Sequence, residues 1–237
     1  MTPSIRTVAE TGSTNDDMLE AAASGAAEGC WLRAERQTGG KGRQGRHWSS
    51  PPGNLYASTL VRLRPGDPPA PTLALVAAVA LHEALAVFAP HAPIAIKWPN
   101  DLVAGPAKLA GILLERVGDS VVVGFGANIA AFPDDTPRPA TSIAALAGGA
   151  PEAGAVLDAL ADAFARWLGR WRGEGVAPIR AAWLAAAHPR GTALTTHAPD
   201  GDWIQGLFDG LDESGALRLR LADGTVHIVH AGDVFLI

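Results

Sequence analysis

Apolar and polar residues follow two different patterns along the chain, and the pattern changes near residue 188. Before that point, short apolar runs with strand character are interleaved with stretches of helical periodicity. Strands are predicted at 4–10, Trp31 to Arg36, Leu55 to Arg64, Ile94–Lys97, 101–104, 107–116 and 120–125. Helices are predicted from a cap at Ser13 or Thr14 to about Ser24, across Ala70 to Ala89, and over 151–172 and 176–187. This pattern predicts an α+β fold in which helices pack against a mixed sheet.

The last 50 residues have the sequence pattern of a small all-β unit. Five short apolar runs, TALTTH, WIQGLFDGL, ALRLRL, TVHIV and VFLI, are separated by turn signals such as Asp-Glu-Ser-Gly and Ala-Asp-Gly. We therefore expect a small SH3-like β-barrel at the C-terminus. The predicted domains are 1–187 and 188–237.

The segment from Ala70 to Ala89 is long and apolar enough to cross a bilayer. His82 and Glu83 lie past its centre, however, where a charge in lipid is costly, and much of the segment is alanine. We therefore expect a buried core helix and no membrane association.

Composition narrows the class of protein. Hydrophobic residues make up 48% of the chain, charged residues 18%, and the net charge is −5, which is typical of an ordinary globular protein and argues against a surface devoted to nucleic acid. The single cysteine, Cys30, cannot form an internal disulfide, and no signal peptide is visible, so we expect a cytoplasmic protein. The seven histidines form no recognisable zinc-ligand spacing.

Lysine and asparagine are rare, and all of them precede residue 129. The chain has 16 arginines but only three lysines, at Lys41, Lys97 and Lys108. Its four asparagines are Asn15, Asn54, Asn100 and Asn128. Because lysine is a compact point charge and asparagine offers a donor and an acceptor together, we expect many of these seven residues to have specific tasks.

The strongest local signal is the loop QTGGKGRQGRHW, residues 37–48. Its glycines allow the backbone N–H groups to approach a ligand closely, and Lys41, Arg43 and Arg46 add positive charge, a mixture suited to polyphosphate. A solvated surface loop or an RNA-contacting loop would have a similar composition. The loop is not a Walker A motif, because Lys41 is followed by glycine, and GFGANI lacks the third glycine of a dinucleotide-binding fingerprint.

Four motifs, taken in their order along the chain, match those of a known protein family. GSTN at 12–15, AERQTGGKGRQGRHW at 34–48, KWPND at 97–101 and KLAGILLE at 108–115 are followed by GFGANI at 124–129. Together they resemble the catalytic domain of biotin–protein ligases, and the last 50 residues are similar to that family's C-terminal barrel. The resemblance implies a class II synthetase-like core. It also implies ATP with Mg²⁺ and biotin as substrates, a biotinyl-5′-AMP intermediate, and a lysine of a biotin carboxyl carrier domain of a biotin-dependent carboxylase as acceptor.

The resemblance also implies roles for individual residues. The residues expected to read the ureido ring of biotin are Ser13, Thr14, Asn15 and Gln37, and those of the loop that folds over biotin and the adenylate are Lys41, Gly42 and Arg43. The residues expected on the nucleotide side are Gly40, Arg46, Trp48, Asn100 and Asn128. Lys108 is expected to lie between the biotin carboxylate and the α-phosphate, and the catalytic set is Lys108, Asp101 and Arg43.

Some alternatives stay open at this point. Asp101 either orients the acceptor lysine or helps to hold Mg²⁺, and no metal ligand is assigned firmly. The family usually has arginine where this chain has Lys41, which leaves the exact contact of Lys41 in doubt. GSTN begins at residue 12, which leaves no room for the N-terminal helix-turn-helix domain of bifunctional members, so DNA binding is not expected.

Three other functions compete with biotin ligation. The nearest rival is a lipoate or octanoate protein ligase, which shares the fold and the lysine chemistry. A non-catalytic biotin or nucleotide sensor would be expected to lack the loop cations or Lys108, and an interaction module built on the small barrel would not explain the rest of the chain. The sequence does not decide between a monomer and a homodimer, or whether the C-terminal unit closes over ATP, contacts the acceptor or stabilises the fold.

Overall fold

A computed structural model describes residues 4–136, 138–197 and 203–236. In chain order its strands and helices are β1 (Ile5–Thr11), α1 (Thr14–Ala23), β2 (Trp31–Gln37), β3 (Leu55–Arg62), α2 (Leu73–Phe88), β4 (Ile94–Lys97), β5 (Asp101–Ala104), β6 (Ala107–Val117), β7 (Ser120–Ala127), α3 (Ile143–Ala147), α4 (Ala153–Glu174), α5 (Val176–Ala186), β8 (Ala193–His197), β9 (Trp203–Leu211), β10 (Leu217–Arg220), β11 (Val226–Val229) and β12 (Val234–Leu236). Short 3-10 turns occupy Arg43–Gly45 and Ala70–Thr72.

The first seven strands form one mixed sheet in the order β1-β2-β3-β7-β6-β5-β4. The β1–β2 pair is parallel and the other pairs are antiparallel. The last five strands form an antiparallel sheet in the order β11-β10-β9-β8-β12. The predicted α+β class, with a second small β unit at the C-terminus, is confirmed.

The large sheet buries side chains on both of its faces, and β7 illustrates why. Successive residues of a strand point to opposite faces. Val121, Val123 and Phe125 pack with α2 and α4 in the main hydrophobic core, whereas Val122 packs with Met18 of α1 in a smaller cluster. The molecule is therefore layered as α1, sheet, and then a helical layer of α2, α4 and α5.

The apolar segment from Ala70 contains the central core helix. Residues Ala70–Phe88 are long and apolar enough to cross a membrane, but 61% of that window is buried inside the protein. The segment's composition is thus explained by its position in the helical layer, packed against both the sheet and the neighbouring helix α4.

The small sheet packs against the preceding part of the chain through aromatic residues. The Trp98 indole N–H donates to the Gly215 carbonyl at 3.1 Å, and Trp183 of α5 meets Phe208 of β9 with ring centroids 6.3 Å apart. The division into domains 1–187 and 188–237 stays a prediction. Residues 1–3, 137, 198–202 and 237, which include the last residue of the VFLI strand motif, lie outside the described residues.

An ion-pair cluster ties α4 to the loop before β2. Arg172 of α4 donates to both Glu28 oxygens at 2.6 and 3.1 Å and lies 3.3 Å from Asp67. Burial raises the pKa of Glu28, but hydrogen bonds from Arg172, the Arg62 N–H and Arg64 outweigh it and hold that pKa below its ordinary value. Because Glu28 and Asp67 are largely shielded from water, the Arg172 guanidinium that neutralises them stabilises the fold.

We expect Arg172→Ala to lower the free energy of unfolding by about 2 kcal/mol, somewhat less than for breaking a fully buried pair. The substitution leaves two half-buried or buried carboxylates without their main partner. Arg170, two residues earlier on the same helix, pairs with Glu174 at an exposed position and is the matched control. Urea unfolding of both variants measures the difference, and equal losses for Arg170→Ala and Arg172→Ala would contradict the assignment.

Candidate active site

A cavity of about 900 Å³ opens on the α1 side of the large sheet. The predicted site residues that line it are Ser13, Thr14, Asn15, Gln37, Lys41, Gly42, Arg43, Arg46, Trp48, Asn100, Asp101, Lys108 and Asn128. Gly40 lies behind this wall, where a Cβ atom would come within 2.6 Å of the Trp48 carbonyl oxygen. The structure therefore brings twelve of the predicted side chains and Gly42 into one place, and each residue's role stays a prediction.

The floor of the cavity is a row of glycines on β6 and β7. Gly111 and Gly126 face each other across the two strands, and a Cβ atom on Gly126 would come within 2.6 Å of the Trp48 ring. Two residues along β7, a Cβ atom on Gly124 would collide with the Asn15 amide. Bare backbone is thus what allows Trp48 and Asn15 to lie flat against the sheet.

The Gly/Arg loop folds as a tight hairpin. The Gly42 N–H donates to the Arg46 carbonyl at 2.7 Å, and the Trp48 N–H donates to the Gly40 carbonyl at 2.9 Å. The sequence predicted a loop here and no strand or helix between Arg36 and Leu55. The loop's own backbone hydrogen bonds instead present Arg43 and Arg46 at the tip.

The tip of this hairpin meets the C-terminal sheet. Arg43 donates to the Gly232 carbonyl at 3.2 Å, and Arg46 donates to the Asp233 carboxylate at 2.9 Å. Burial raises the pKa of Asp233, but Arg46 and Arg43 outweigh it and hold that pKa below its usual value. The small β unit therefore supplies a wall of the cavity and a counter-charge to its arginines.

A β-bulge places Lys108 in the cavity. The pairing of β5 with β6 shifts between Leu102 and Val103, and consecutive residues Leu109 and Ala110 both lie in the hydrophobic core. In a regular strand Lys108 would share the core face with Ala110. The extra residue turns Lys108 to the opposite side, where its Nζ lies 5.4 Å from the centre of the Trp48 ring.

Asp101 lies buried between two lysines. Its Oδ1 is 2.6 Å from Lys108 Nζ, and its Oδ2 is 3.7 Å from Lys97 Nζ. The side chains of Lys97 and Asp101 are each 8% exposed, whereas that of Lys108 is 32% exposed. Burial lowers the pKa of Lys97, and the attraction of Asp101 opposes that effect. Lys108 is thus the more accessible of the two cations.

A polar group lies where α1 begins. Ser13 caps the helix by accepting the Asp16 N–H at 3.5 Å, so the cap predicted at Ser13 or Thr14 is Ser13. The Thr14 N–H donates to Gln37 Oε1 at 2.9 Å, and the Thr14 hydroxyl lies 3.1 Å from the same oxygen. Lys41 is paired with Asp16 at 2.6 Å, which raises the pKa of Lys41.

The asparagines divide into two groups. Asn100 accepts from Arg43 at 3.3 Å and donates to the Ile112 carbonyl at 2.7 Å, which joins the hairpin loop to the β6 strand. Asn128 donates to the Thr141 carbonyl at 3.0 Å. Asn54 does not line the cavity. Its Oδ1 accepts the N–H groups of residues 129, 130 and 131, so its task is to hold the chain after β7.

The sequence reading missed several residues of the site. Ser58 is fully buried beneath Thr14 and Asn15, and Glu115 contacts Asn15. A hydroxyl in the middle of the apolar strand LYASTLVR was an available signal for Ser58. Asp233 had no local signal, because its partner Arg46 is 187 residues away in sequence.

We expect Gly126→Ala to displace the Trp48 ring and loosen the hairpin loop, because its methyl group has no room beneath the indole. Trypsin should then cleave after Lys41, Arg43 or Arg46 faster than in the unsubstituted protein. Gly173→Ala, on a helix where a Cβ atom meets nothing within 4 Å, is the control. Equal cleavage rates for both variants would show that the glycine row does not support the loop.

Comparison with known proteins connects this site to a family. The sequence profile of the Biotin/lipoate A/B protein ligase family matches residues 11–128, and that of the Biotin protein ligase C terminal domain matches residues 194–237. A "Biotin--[acetyl-CoA-carboxylase] ligase" of Paracoccus denitrificans is 39% identical, over 96% of this chain and 98% of that protein. One of the same name from Mycobacterium tuberculosis is 35% identical, over 96% and 86%.

Solved structures share the fold over the whole chain. A biotin protein ligase from Aquifex aeolicus in complex with biotin and ATP superposes with a TM-score of 0.88 at 24% identity, covering 99% of both chains. A biotin protein ligase from Leishmania major in complex with biotinyl-5-AMP gives a TM-score of 0.69 at 26% identity, covering 98% of this chain and 100% of that one. Given 39% identity over nearly the full length of a curated relative, this chain belongs to the biotin/lipoate A/B protein ligase family, among its biotin–protein ligases.

Proposed function

We propose that the protein is an ATP-dependent biotin–protein ligase. The carboxylate of biotin attacks the α-phosphorus of ATP, which gives biotinyl-5′-AMP and pyrophosphate. The amine of an acceptor lysine then attacks the carbonyl carbon of this mixed anhydride and releases AMP. The names of the full-length relatives and the charge distribution within the cavity support this reaction.

The position of Lys108 is the observation that carries the proposal. Its ammonium lies in the cavity, against the glycine row and beside Trp48, with Asp101 as its counter-ion. Repulsion between a carboxylate and a phosphate is the main obstacle to forming an acyl-adenylate. A cation that is already oriented lowers this barrier without reorganisation. Exchange of Asp101 for the two substrate anions would leave Lys108 between them.

The polar group at the start of α1 suits the other end of biotin. On β7, the contact with Asn15 at Gly124 and the contact with Trp48 at Gly126 are two residues apart, roughly 7 Å along the strand. This separation suits an elongated ligand with a polar head and a carboxylate tail. Ser13, Thr14, Asn15 and Gln37 are the residues that we assign to the ureido ring.

The cationic end of the cavity suits the nucleotide. Arg43 and Arg46 would exchange the Asp233 carboxylate for phosphate oxygens, with Trp48 and Asn100 nearby and Mg²⁺ entering as part of the ATP substrate. Gly40 and Gly42 have no side chains that would keep the backbone of the hairpin away from the nucleotide. We assign Asn128, which also lines the cavity, to the same side.

Asp101 is better suited to the acceptor lysine than to a metal ion. It is held between two ammonium groups, so each of its oxygens already faces a cation. When Lys108 turns to the substrate anions, Asp101 Oδ1 is left to accept a hydrogen bond from the amine of the incoming lysine. The acceptor is a biotin carboxyl carrier domain of a biotin-dependent carboxylase, in keeping with the names of the relatives.

Lipoate or octanoate remains the alternative acid, because the family profile spans both activities. A non-catalytic sensor is disfavoured by a complete set of cavity cations. A cytoplasmic location, a possible homodimer and the lack of DNA binding stay predictions.

We expect Lys108→Ala to lower biotin-dependent adenylate formation by at least about 100-fold, the scale for losing one preorganised charge-stabilising group. Single-turnover formation of labelled biotinyl-AMP measures it. Arg116→Ala, on the exposed end of the same strand, is the control and should retain activity. A folded Lys108→Ala variant that forms the adenylate at the normal rate would contradict the assignment.

We expect Asp101→Asn to separate the two half-reactions. Adenylate formation should persist, because Lys108 keeps its charge, whereas transfer to the acceptor lysine should fall by at least about ten-fold as the carboxylate partner is lost. Transfer is measured from preformed biotinyl-AMP, and circular dichroism checks the fold. An equal loss in both half-reactions would instead indicate that Asp101 only supports the lysines.

A further inference from the structure

A chain of hydrogen-bonded side chains, which we call the relay, runs from Glu115 through Asn15 and Ser58 to Thr14 at the polar end of the cavity. Glu115 Oε2 accepts the Asn15 Nδ2 at 2.7 Å. The Ser58 hydroxyl lies 2.6 Å from Asn15 Oδ1 and 2.8 Å from the Thr14 hydroxyl oxygen. Asn15, Ser58 and Thr14 are all buried, whereas Glu115 is partly exposed.

The orientation of the Asn15 amide is fixed by its neighbours. An ionised carboxylate and a carbonyl oxygen can only accept hydrogen bonds. Asn15 faces both, Glu115 Oε2 at 2.7 Å and the Leu113 carbonyl at 3.4 Å, so its NH₂ group must point towards them. Its oxygen therefore points to Ser58, into the space that the missing side chain of Gly124 leaves open.

A serine hydroxyl has one proton, so Ser58 can donate only one of its two hydrogen bonds. Ser58 lies within hydrogen-bond distance of two oxygens, and the Asn15 oxygen can only accept. Ser58 therefore donates to Asn15 across the shorter of its two contacts, 2.6 Å, and its 2.8 Å contact with Thr14 is then completed by the Thr14 proton. The other acceptor within reach of that proton, Gln37 Oε1, is farther away at 3.1 Å. Because either partner takes the Thr14 proton within the protein, the Thr14 oxygen offers lone pairs to a ligand.

Gln37 is oriented in the same sense. Its Nε2 donates to Ser50 at 3.3 Å, and the Ser50 hydroxyl donates in turn to the Trp48 carbonyl at 3.2 Å. The Gln37 oxygen already accepts the Thr14 N–H. Thr14 and Gln37 therefore both present acceptors at the polar end of the cavity.

We propose that Glu115 is a positioning residue that fixes the direction of this relay and so makes the site selective for a ligand with N–H donors. A ureido ring has such donors, and the inference rests on the proposed function in this respect. An acid with an acceptor atom in place of a ureido N–H would meet the lone pairs of Thr14 and be rejected. Glu115 acts through Asn15 and Ser58.

The test uses biotin and its two cyclic carbamate analogues, in each of which a ring oxygen of similar size replaces one ureido N–H. Acid-dependent pyrophosphate exchange is measured for the wild-type protein, Glu115→Gln and Ser58→Ala. A glutamine at 115 can meet Asn15 with either end of its amide, so both proton arrangements become accessible. Glu20→Gln, an exposed position on the same helix as Asn15, is the control.

In both relay variants we expect the KM for biotin to rise about five-fold, the scale of one neutral hydrogen bond, with kcat and the KM for ATP nearly unchanged. For at least one analogue, the preference for biotin should fall by a similar factor, because Thr14 can now turn its proton towards the ring oxygen. A purely structural role would weaken biotin and both analogues equally.

The outcomes separate the two proposals. Wild-type protein that shows no biotin-dependent exchange would contradict the proposed function and this inference together. Wild-type protein that is active with biotin, while Glu115→Gln keeps the full preference over both analogues, would overturn the relay alone. Because Glu115 is partly exposed, Glu115→Gln keeps the test decisive even if Ser58→Ala fails to fold.

Discussion

The bulge in β6 decides which side of the sheet receives Lys108, and the chemistry of the site depends on that choice. Without it, the ammonium group would face α2 and the main core, where an unpaired charge is prohibitively costly. With it, the ammonium lies in the cavity against Asp101 at 2.6 Å. The pairing of Asp101 with Lys97 on its other oxygen would keep the carboxylate in place during the proposed turn of Lys108 to a substrate.

The sheet contributes a second constraint, an absence of side chains. Gly111, Gly124 and Gly126 lie on the same face of β6 and β7, opposite the face packed by α2 and α4. This bare surface brings Trp48 and Asn15 against the backbone and leaves a slot rather than a filled core. The C-terminal sheet then closes one side, with Asp233 on Arg43 and Arg46. If the nucleotide binds where we propose, this contact makes closure over ATP the best supported of the three roles considered for the C-terminal unit.

The sequence predicted the fold well where periodicity was strong. The strands end within about two residues of their predicted bounds. The apolar segment that was predicted to be a buried core helix is one. The short helix Ile143–Ala147 and the hairpin formed by the Gly/Arg loop were not predicted, although Ser142 and Gly148 cap the helix locally and the hairpin is closed by its own backbone hydrogen bonds. Both elements are too short to show a clear hydrophobic periodicity. The motifs identified the residues around the cavity. They did not identify Ser58, Glu115 or Asp233, whose partners are distant in sequence.

The central claim, that this cavity joins a carboxylic acid to AMP and that the acid is biotin, is tested most directly by exchange of labelled pyrophosphate into ATP. The purified protein with Mg²⁺ would be compared with biotin, lipoate, octanoate and no acid. Exchange that depends on biotin and is absent with the other acids is the predicted result. Exchange that depends on lipoate or octanoate would preserve the chemistry and contradict the substrate, and no exchange with any acid from folded protein would contradict the account as a whole.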